Sequence, residues 1–372
     1  MNTQFPGFAV TGDAHLRRCT WTHRPMLAND AYISFSFIVD YCIANGLDLF
    51  STGDLLDAAN PPSDAIAFLY SEFLRLEDAG RTFRLIDGNH DASDPSWALA
   101  VNRPNVVYAD KLKFKLPGGI IAYGLNYRPS AELEIELAAI PKDVTVLFLH
   151  QMTKWAFEKE GVWNLDPDKI PAHVRMVFIG DYHRAVAFNR ADGQHQVYTG
   201  SIAMQSTDEE VDKSFIHVQV TPQGITYTRV PIPTRRMVTA SLSSDEEVDQ
   251  FVRDVATALD PAQFAYLPED IRRPMLVVKL LGGLDASRIK QAVGDLAHLW
   301  IAPFGHVVMA SQPSETEAAE IDPLEEIISP AASENLKPFV RDLLGSNGDP
   351  RSVIEKWAAV VLNPQTAAPG AT

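Results

Sequence analysis

Little in this sequence points outside the cell. Of 372 residues only two are cysteines, Cys19 and Cys42. A disulfide framework is therefore excluded, and a reduced cytoplasmic setting is expected. A chain of this length buries a sufficient core without such staples. No apolar run approaches the ~18 residues needed to span a bilayer, so no membrane association is expected. The opening stretch, MNTQFPGFAV, lacks the basic start and apolar stretch of a secretory signal. Internal repeats are absent. Basic residues are also scarce: 32 Lys and Arg face 48 Asp and Glu, a formal net charge of −16. At face value that excess argues against a nucleic-acid protein, because phosphate backbones attract Lys and Arg. Hydrophobic residues at 46% and charged residues at 22% are ordinary globular values. They exclude a mostly disordered chain, a fibrous repeat or a coiled coil. The length suggests two or three domains at roughly 150 residues each.

The acidic excess is not evenly spread. Residues 101–200 carry 12 basic and 11 acidic groups, a net of +1, whereas 301–372 carry 4 and 10, a net of −6. The acids gather in short runs at Asp208-Glu209-Glu210, at Asp245-Glu246-Glu247 and from Glu315 to Glu326. Such blocks read as solvated loops or tails. Whole-chain charge is thus a poor guide to any one surface.

Short apolar, β-branched runs recur through the first 235 residues: Phe8–Thr11, Leu47–Thr52, Phe83–Ile86, Val144–Leu149 and Met176–Ile179. Continuous runs of this length read as strands buried on both faces. Helical spacing covers Asp30–Asn45 and Ser63–Ala79, with Asn29 or Asp30, and Ser63, as candidate N-caps. Alternating strands and helices imply a layered α/β domain. Ala185–Asn189, Gln196–Thr199, Phe215–Val220 and Ile225–Val230 read as further strands. From Arg236 the order restarts as strand 237–242, helix 246–259, strand 275–281, helix 286–298 and strand 300–309. That order suggests a compact second domain over 236–311. An acidic linker over 312–324 and a tail over 325–372 with two short amphipathic segments follow.

Polar chemistry stands where the strands of the first domain end, the place where α/β sheets bind ligands. Asp13 and His15 follow the first run. Asp54 follows the second, within Gly53-Asp54-Leu55-Leu56-Asp57. Asn89, His90 and Asp91 follow the third, His150 the fourth, and Asp181 with His183 the fifth. Each alone would be a turn former, a cap or a satisfied histidine. Five in succession are another matter, because carboxylates gathered at one sheet edge repel unless cations hold them. The set mixes hard oxygens with imidazoles and lacks thiolate, which suits Mn²⁺ and, less exclusively, Mg²⁺, Fe²⁺ or Zn²⁺. Six or seven ligands are too many for one four-coordinate ion and suggest a pair, and paired metals suit phosphoester hydrolysis.

Asp13-x-His15, Gly53-Asp54, Gly88-Asn89-His90-Asp91, His150 and Gly180-x-x-His183 together resemble the signature of calcineurin-like metallophosphoesterases over about the first 205 residues. Leu56-Asp57 with Pro61-Pro62-Ser63, Leu149-His150-Gln151, and Gly200-Ser201 with Gln205-Ser206 are similar to the SbcD-type double-strand-break repair nucleases of bacteria and phages. The resemblance implies a four-layer α/β/β/α sandwich over 1–235, a small α/β capping domain that recognises DNA, and a helical C-terminal tail that binds an SbcC-like ATPase. It implies one metal held by Asp13, His15, Asp54 and His183, and another held by Asp54, Asn89, His150 and Asp181. His90 would serve the transition state or the leaving oxygen, with Asp91 orienting it. Asp57 would orient His90, shape the DNA site or serve a helix N-terminus. Two divalent ions, Mn²⁺ ahead of Mg²⁺, are the implied cofactors. The implied activity is 3′-to-5′ DNA exonuclease with some single-strand endonuclease cleavage, in a homodimer. Asp181 departs from the family, which carries histidine there; a harder ligand should tilt preference toward Mn²⁺ or Mg²⁺.

Arg17, Arg18 and Arg184 flank the motifs and are candidate DNA-phosphate contacts or plain solvated residues. Trp97, Trp155 and Trp163 are candidates for stacking bases or for packing. Two other functions stay open: a phosphodiesterase or phosphatase acting on small nucleotides or phosphoproteins, and a non-catalytic subunit of a repair complex.

Overall fold

The computed structural model describes residues 7–16, 25–157, 162–207, 209 and 212–303. All of them belong to one compact unit that ends at His306. Arg17, Arg18, the acidic linker and the tail lie outside the described residues.

Two six-stranded sheets form the body. In chain order the elements are β1 (Gly7–Thr11), α1 (Pro25–Asn45), β2 (Asp48–Ser51), α2 (Ser63–Asp78), β3 (Phe83–Leu85), α3 (Trp97–Val101) and β4 (Val106–Tyr108). Next come β5 (Lys113–Lys115), β6 (Ile121–Gly124), α4 (Ser130–Ala138), β7 (Val146–His150), β8 (Met176–Gly180), β9 (Ala187–Asn189) and β10 (His195–Tyr198). The long hairpin β11 (Ser214–Thr221) and β12 (Gly224–Pro231) completes them. The first sheet has the order β12-β11-β1-β2-β3-β4 and the second β5-β6-β7-β8-β10-β9. Within the first, β1 to β4 run parallel; within the second, β6, β7, β8 and β10 do.

Strand alternation explains why the runs are apolar throughout. Phe8 and Val10 of β1, Phe50 of β2, Val146 and Phe148 of β7, and Met176 and Phe178 of β8 meet in the core between the sheets. The intervening residues face outward to helices. Ala9 and Leu49 pack with Phe35, Ile38, Leu69 and Phe73 of α1 and α2. Leu147, Leu149, Val177 and Ile179 pack with Leu133 and Leu137 of α4. Helix, sheet, sheet and helix thus give the four layers expected, and β1, β7 and β8 are buried on both faces along their whole length.

A third sheet follows, of β13 (Met237–Leu242), β14 (Met275–Leu280) and β15 (His298–Pro303), all parallel. α5 (Asp245–Ala258), the single turn α6 (Glu269–Arg272) and α7 (Ala286–Val293) connect them. α5 and α7 cover one face through Val248, Val255, Ile289 and Val293. The other face presents Met237, Met275, Val277 and Trp300 to Leu27 and Met204 of the sandwich. Arg235 reinforces that contact by donating to both carboxylate oxygens of Asp30, at 2.8 and 2.9 Å.

Several expected boundaries are corrected. α1 starts at Pro25, where the missing N–H costs nothing, so neither Asn29 nor Asp30 caps it. Ser63 is the first helical residue of α2; Pro62 holds the cap position with no side-chain bond. α7 stops at Val293, because Gly294 follows at φ 47° and breaks the helix well before His298. The run 245–247 is the acidic first turn of α5, where carboxylates suit exposed backbone amides. The short β4, β5 and β6, and α3 and α4, carried too few periods to be read from the sequence.

Candidate metal centre

The parallel strands point their carboxyl ends to the same edge of each sheet. Asp13 follows β1, Asp54 follows β2, and Asn89 and His90 follow β3. On the facing sheet His150 ends β7 and Asp181 follows β8. The backbone there is unusual. Asp13, His15, Asp54 and Asp181 have φ of 48°, 43°, 50° and 88°. Non-glycine residues adopt that region at a cost, and such strain gathers at functional sites. The approach is also close. A Cβ placed on Gly88 would stand 2.0 Å from Asp54 Oδ1, and one on Gly53 2.5 Å from His150 Nδ1.

Three buried or half-buried histidines are oriented alike. His150 Nδ1 lies 2.7 Å from the Thr52 carbonyl, which can only accept, so Nδ1 carries the proton. His15 Nδ1 lies 3.1 Å from Asp57 Oδ1, and His183 Nδ1 lies 2.6 Å from Glu209 Oε1. Each arrangement leaves Nε2 as a lone-pair donor, the tautomer a metal ligand needs. The three Nε2 atoms point inward to further acceptors. His15 Nε2 is 3.2 Å from His183 Nε2 and 3.5 Å from Asp54 Oδ2. His150 Nε2 is 3.3 Å from Asp54 Oδ2 and 3.0 Å from Asn89 Oδ1. Asp13 Oδ2 is buried and has no hydrogen-bond partner among the described residues. Acceptors facing acceptors in a buried site call for cations between them.

The electrostatics agree. Burial penalises charge on Asp54, yet His150 and His15 outweigh it and hold the carboxyl far below its ordinary value. Burial likewise opposes charge on His150, but Asp54, Asp13 and Asp181 raise its pKa well above normal. His15 moves the other way, lowered by burial. Burial raises Asp181, against His150 and with Asp13 and Asp54.

The ligand atoms of Asp13, His15 and His183 lie within 4.8 Å of one another, as do those of Asp13, Asp54 and His150, and of His15, Asp54 and His90. Asp54 Oδ2 faces both His15 and His150. Asn89 joins through His150. Asp181 stands beside them, its backbone amide donating to Asp13 Oδ1 at 2.9 Å. The residues present therefore fit a pair of divalent cations.

Two assignments change. Asp91, expected to orient His90, is fully buried and accepts from the backbone amides of Gly88, Leu55 and Leu56 at 2.7, 2.8 and 3.2 Å. It braces the loops that carry Asn89 and Asp54. Burial, Asp54 and Asp87 push its pKa up to about 7. Asp57 instead faces His90, with Oδ1 3.8 Å from Nδ1. Glu209, read as part of a solvated acidic run, lies in the centre. It accepts from Lys213 Nζ at 2.7 Å and Gln205 N at 3.0 Å besides engaging His183. Burial opposes its charge, but His183 and Lys213 bring its pKa down to about 2. Arg184 is exposed beside His183.

No family model matches the chain. It is 30% identical over 187 residues to the DNA double-strand break repair protein Mre11 of Sulfurisphaera tokodaii, covering 46% of this chain and 48% of that protein. It is 27% identical over 254 residues to the protein of the same name from Haloferax volcanii, covering 64% and 56%. Over these stretches the chain resembles metallophosphoesterases of the DNA repair nuclease kind. It is also 25% identical over 216 residues to the uncharacterized metallophosphoesterase YhaO of Bacillus subtilis, covering 54% and 52%. The chain thus spans about half the length of the curated relatives it matches. A crystal structure of a dimetal phosphatase from Danio rerio superposes with a TM-score of 0.45 at 10% identity, covering 62% of this chain and 96% of that one. Among the described residues no helix is long and apolar enough to cross a membrane.

Proposed function

We propose that this metallophosphoesterase cleaves DNA phosphodiesters with two divalent cations. One observation carries the reading: three histidines, each anchored through Nδ1, gather Nε2 with the carboxylates of the buried Asp13 and Asp54 and the amide oxygen of Asn89. Asp13, His15, Asp54 and His183 would hold one ion, and Asp54, Asn89, His150 and Asp181 the other. Bound there, the pair supplies an activated water and charge stabilisation for an in-line displacement at phosphorus. The hard ligand set favours Mn²⁺ over softer ions, with Mg²⁺ as the alternative.

The protein's own groups do the rest. His90 and Asn89 are exposed, the His90 side chain by 41%, where those of His15 and His150 are fully covered. A substrate oxygen can therefore reach His90. Its backbone amide donates to Asp54 Oδ1 at 2.9 Å, which ties the loop to the metal-facing carboxylate. His90 Nδ1 lies 3.4 Å from the Asp57 backbone carbonyl, which can only accept, so Nδ1 carries a proton; as imidazolium, His90 would donate its second proton from Nε2 to the leaving oxygen. Asp91 keeps the Asp54 and Asn89 loops in register from beneath.

The same reading assigns 3′-to-5′ exonuclease polarity with some single-strand endonuclease cleavage. It gives the module over 236–311 a DNA-capping role and the tail over 325–372 an SbcC-like ATPase as partner, in a homodimer. Resemblance to the repair nucleases supports these. The test is digestion of end-labelled duplex and single-stranded DNA with Mn²⁺, with and without a candidate ATPase. The expected result is metal-dependent cleavage that is lost in His90→Ala while metal binding is kept. A His90→Ala protein as active as wild type would remove this mechanism.

A further inference from the structure

The loop after His150 carries an aromatic edge that the metal centre leaves unused. A turn over residues 153–157 closes through the amides of Ala156 and Phe157 donating to the Thr153 carbonyl, at 3.1 and 3.2 Å. Its base is pinned on both sides. Thr153 N donates to the Tyr198 hydroxyl at 2.7 Å, and Lys154 N donates to the Leu165 carbonyl at 3.0 Å. This frame holds Phe157 at the surface, 38% exposed. The Phe157 ring meets Tyr182 edge to face, with centroids 6.5 Å apart at 80°. Tyr182 is itself backed by Tyr198 at 5.5 Å. Tyr182 lies between Asp181 and His183 in the loop after β8, so Phe157 packs on the loop that carries both residues.

The tryptophans do not compete for this role. Trp155 stacks on Phe188 at 5.3 Å and 20° and donates its indole N–H to Gln196. Trp97 packs against the core under α1 and α2. The Trp163 ring is covered by Lys154 Nζ at 5.4 Å. Two cations lie on the same loops: Lys154 belongs to this turn, with its Nζ over the Trp163 ring, and the exposed Arg184 follows Tyr182 two residues on. A ring held at the surface by this turn, packed on the loop that carries Asp181 and His183 and with cations on both loops, offers what single strands bind: an aromatic surface for bases and positive charge for phosphates.

We propose that Phe157, backed by Tyr182, stacks an unpaired nucleobase of the strand being cut, with Lys154 and Arg184 at its phosphates. The inference rests on the nuclease reading and deepens it. A base inside a duplex has both faces covered by neighbours, so this edge selects single strands and frayed ends.

Affinity of the full chain for a labelled single strand, measured by anisotropy in EDTA, is compared with that for the same strand carrying abasic sites. Phe157→Ala should weaken binding of the base-bearing strand by between about 5-fold and about 100-fold, the range seen for removing one base–aromatic stack. Binding of the abasic strand should change less than about 2-fold, since phosphate contacts do not involve the ring. Phe157→Trp should restore the difference. Equal effects on both strands, no effect on either, or a wild-type chain that binds neither would overturn the proposal. Cleavage in Mn²⁺ is read separately. Base-dependent binding through Phe157 without cleavage would remove the nuclease reading alone. Cleavage with Phe157→Ala binding normally would remove the stacking alone.

Discussion

Glu209 offers the sharpest test of the centre, because its role rests on geometry alone. Its carboxylate accepts from His183 Nδ1 at 2.6 Å, from Lys213 Nζ at 2.7 Å and from Gln205 N at 3.0 Å. A carboxylate behind a ligating imidazole fixes its tautomer and rotation. Losing such a partner typically costs 10–100-fold in metal affinity, or about 1.4–2.7 kcal/mol. Glu209→Ala should therefore weaken one of two Mn²⁺ sites by about that factor and spare the other. By mass action the Mn²⁺-dependent gain in unfolding free energy should shrink by about 1.4–2.7 kcal/mol at saturating metal. Glu209→Gln keeps an acceptor toward Nδ1 and should recover much of the affinity, although it removes the charge beside Lys213. The assay is calorimetric Mn²⁺ titration with urea unfolding in parallel. His183→Ala serves as the reference for full loss of that ligand. If Glu209→Ala binds Mn²⁺ as tightly as wild type while His183→Ala does not, Glu209 does not position His183 and the tautomer argument fails for that histidine.

Phe148 is fully buried between the sheets, its ring stacked on Phe50 with centroids 3.6 Å apart; Phe148→Ala should cost about 3–5 kcal/mol in urea unfolding, and a loss under 1 kcal/mol would contradict the sandwich core. Arg235→Met should cost about 3–5 kcal/mol at pH 7, because it strands the Asp30 carboxylate in a buried contact. Burial raises the Asp30 pKa even with Arg235 present. A raised folded-state value favours the fold at low pH and loses that favour as pH rises, so the deficit of Arg235→Met should shrink as pH falls toward about 4; a pH-independent deficit would refute the reasoning. Asp13→Asn should abolish the Mn²⁺-induced rise in melting temperature yet leave the metal-free protein as stable or more so, since Asn tolerates a φ of 48° and lessens the buried negative charge. Gly88→Ala should lose Mn²⁺ binding in the same titration, because its methyl would displace Asp54 Oδ1.

Legibility of the site in the sequence followed a physical division. Phe8–Thr11, Leu47–Thr52 and Met176–Ile179 announce buried strands because both faces are apolar, and each is punctuated by glycine and aspartate. Parallel strands carry their punctuation to one edge, so the order of Asp13, Asp54, Asn89, His150 and Asp181 along the chain already implies that they gather. What periodicity cannot carry is the aim of a side chain in an irregular loop. Asp91 follows His90 in sequence, yet the turn at Gly88 directs its carboxylate down onto three amides. Asp57, in a loop read as ambiguous, takes the place beside His90. Glu209 sits in an acidic run whose composition signals solvent, and only the fold brings it against His183. Asp30 has the residue type of an N-cap, but its tie to Arg235 is made across 205 residues.

Net charge follows the same division and bears on how substrate is held. Asp13, Asp54, Asp57, Asp91, Asp181 and Glu209 all lie in or under the centre, so part of the −16 is a demand for cations rather than a surface property. Two divalent ions would bring about +4 to that group. The metal-loaded face that meets a phosphate is consequently far less negative than the sum implies. Lys154 and Arg184 lie on the two loops that carry the proposed aromatic edge. A polyanion can then be gripped locally by metals, two cations and a ring. Affinity held this way should fall less steeply with salt than affinity spread over many lysines, because few counterions are released. A salt slope matching six or more phosphate contacts, measured on the isolated chain, would place the grip elsewhere on the surface.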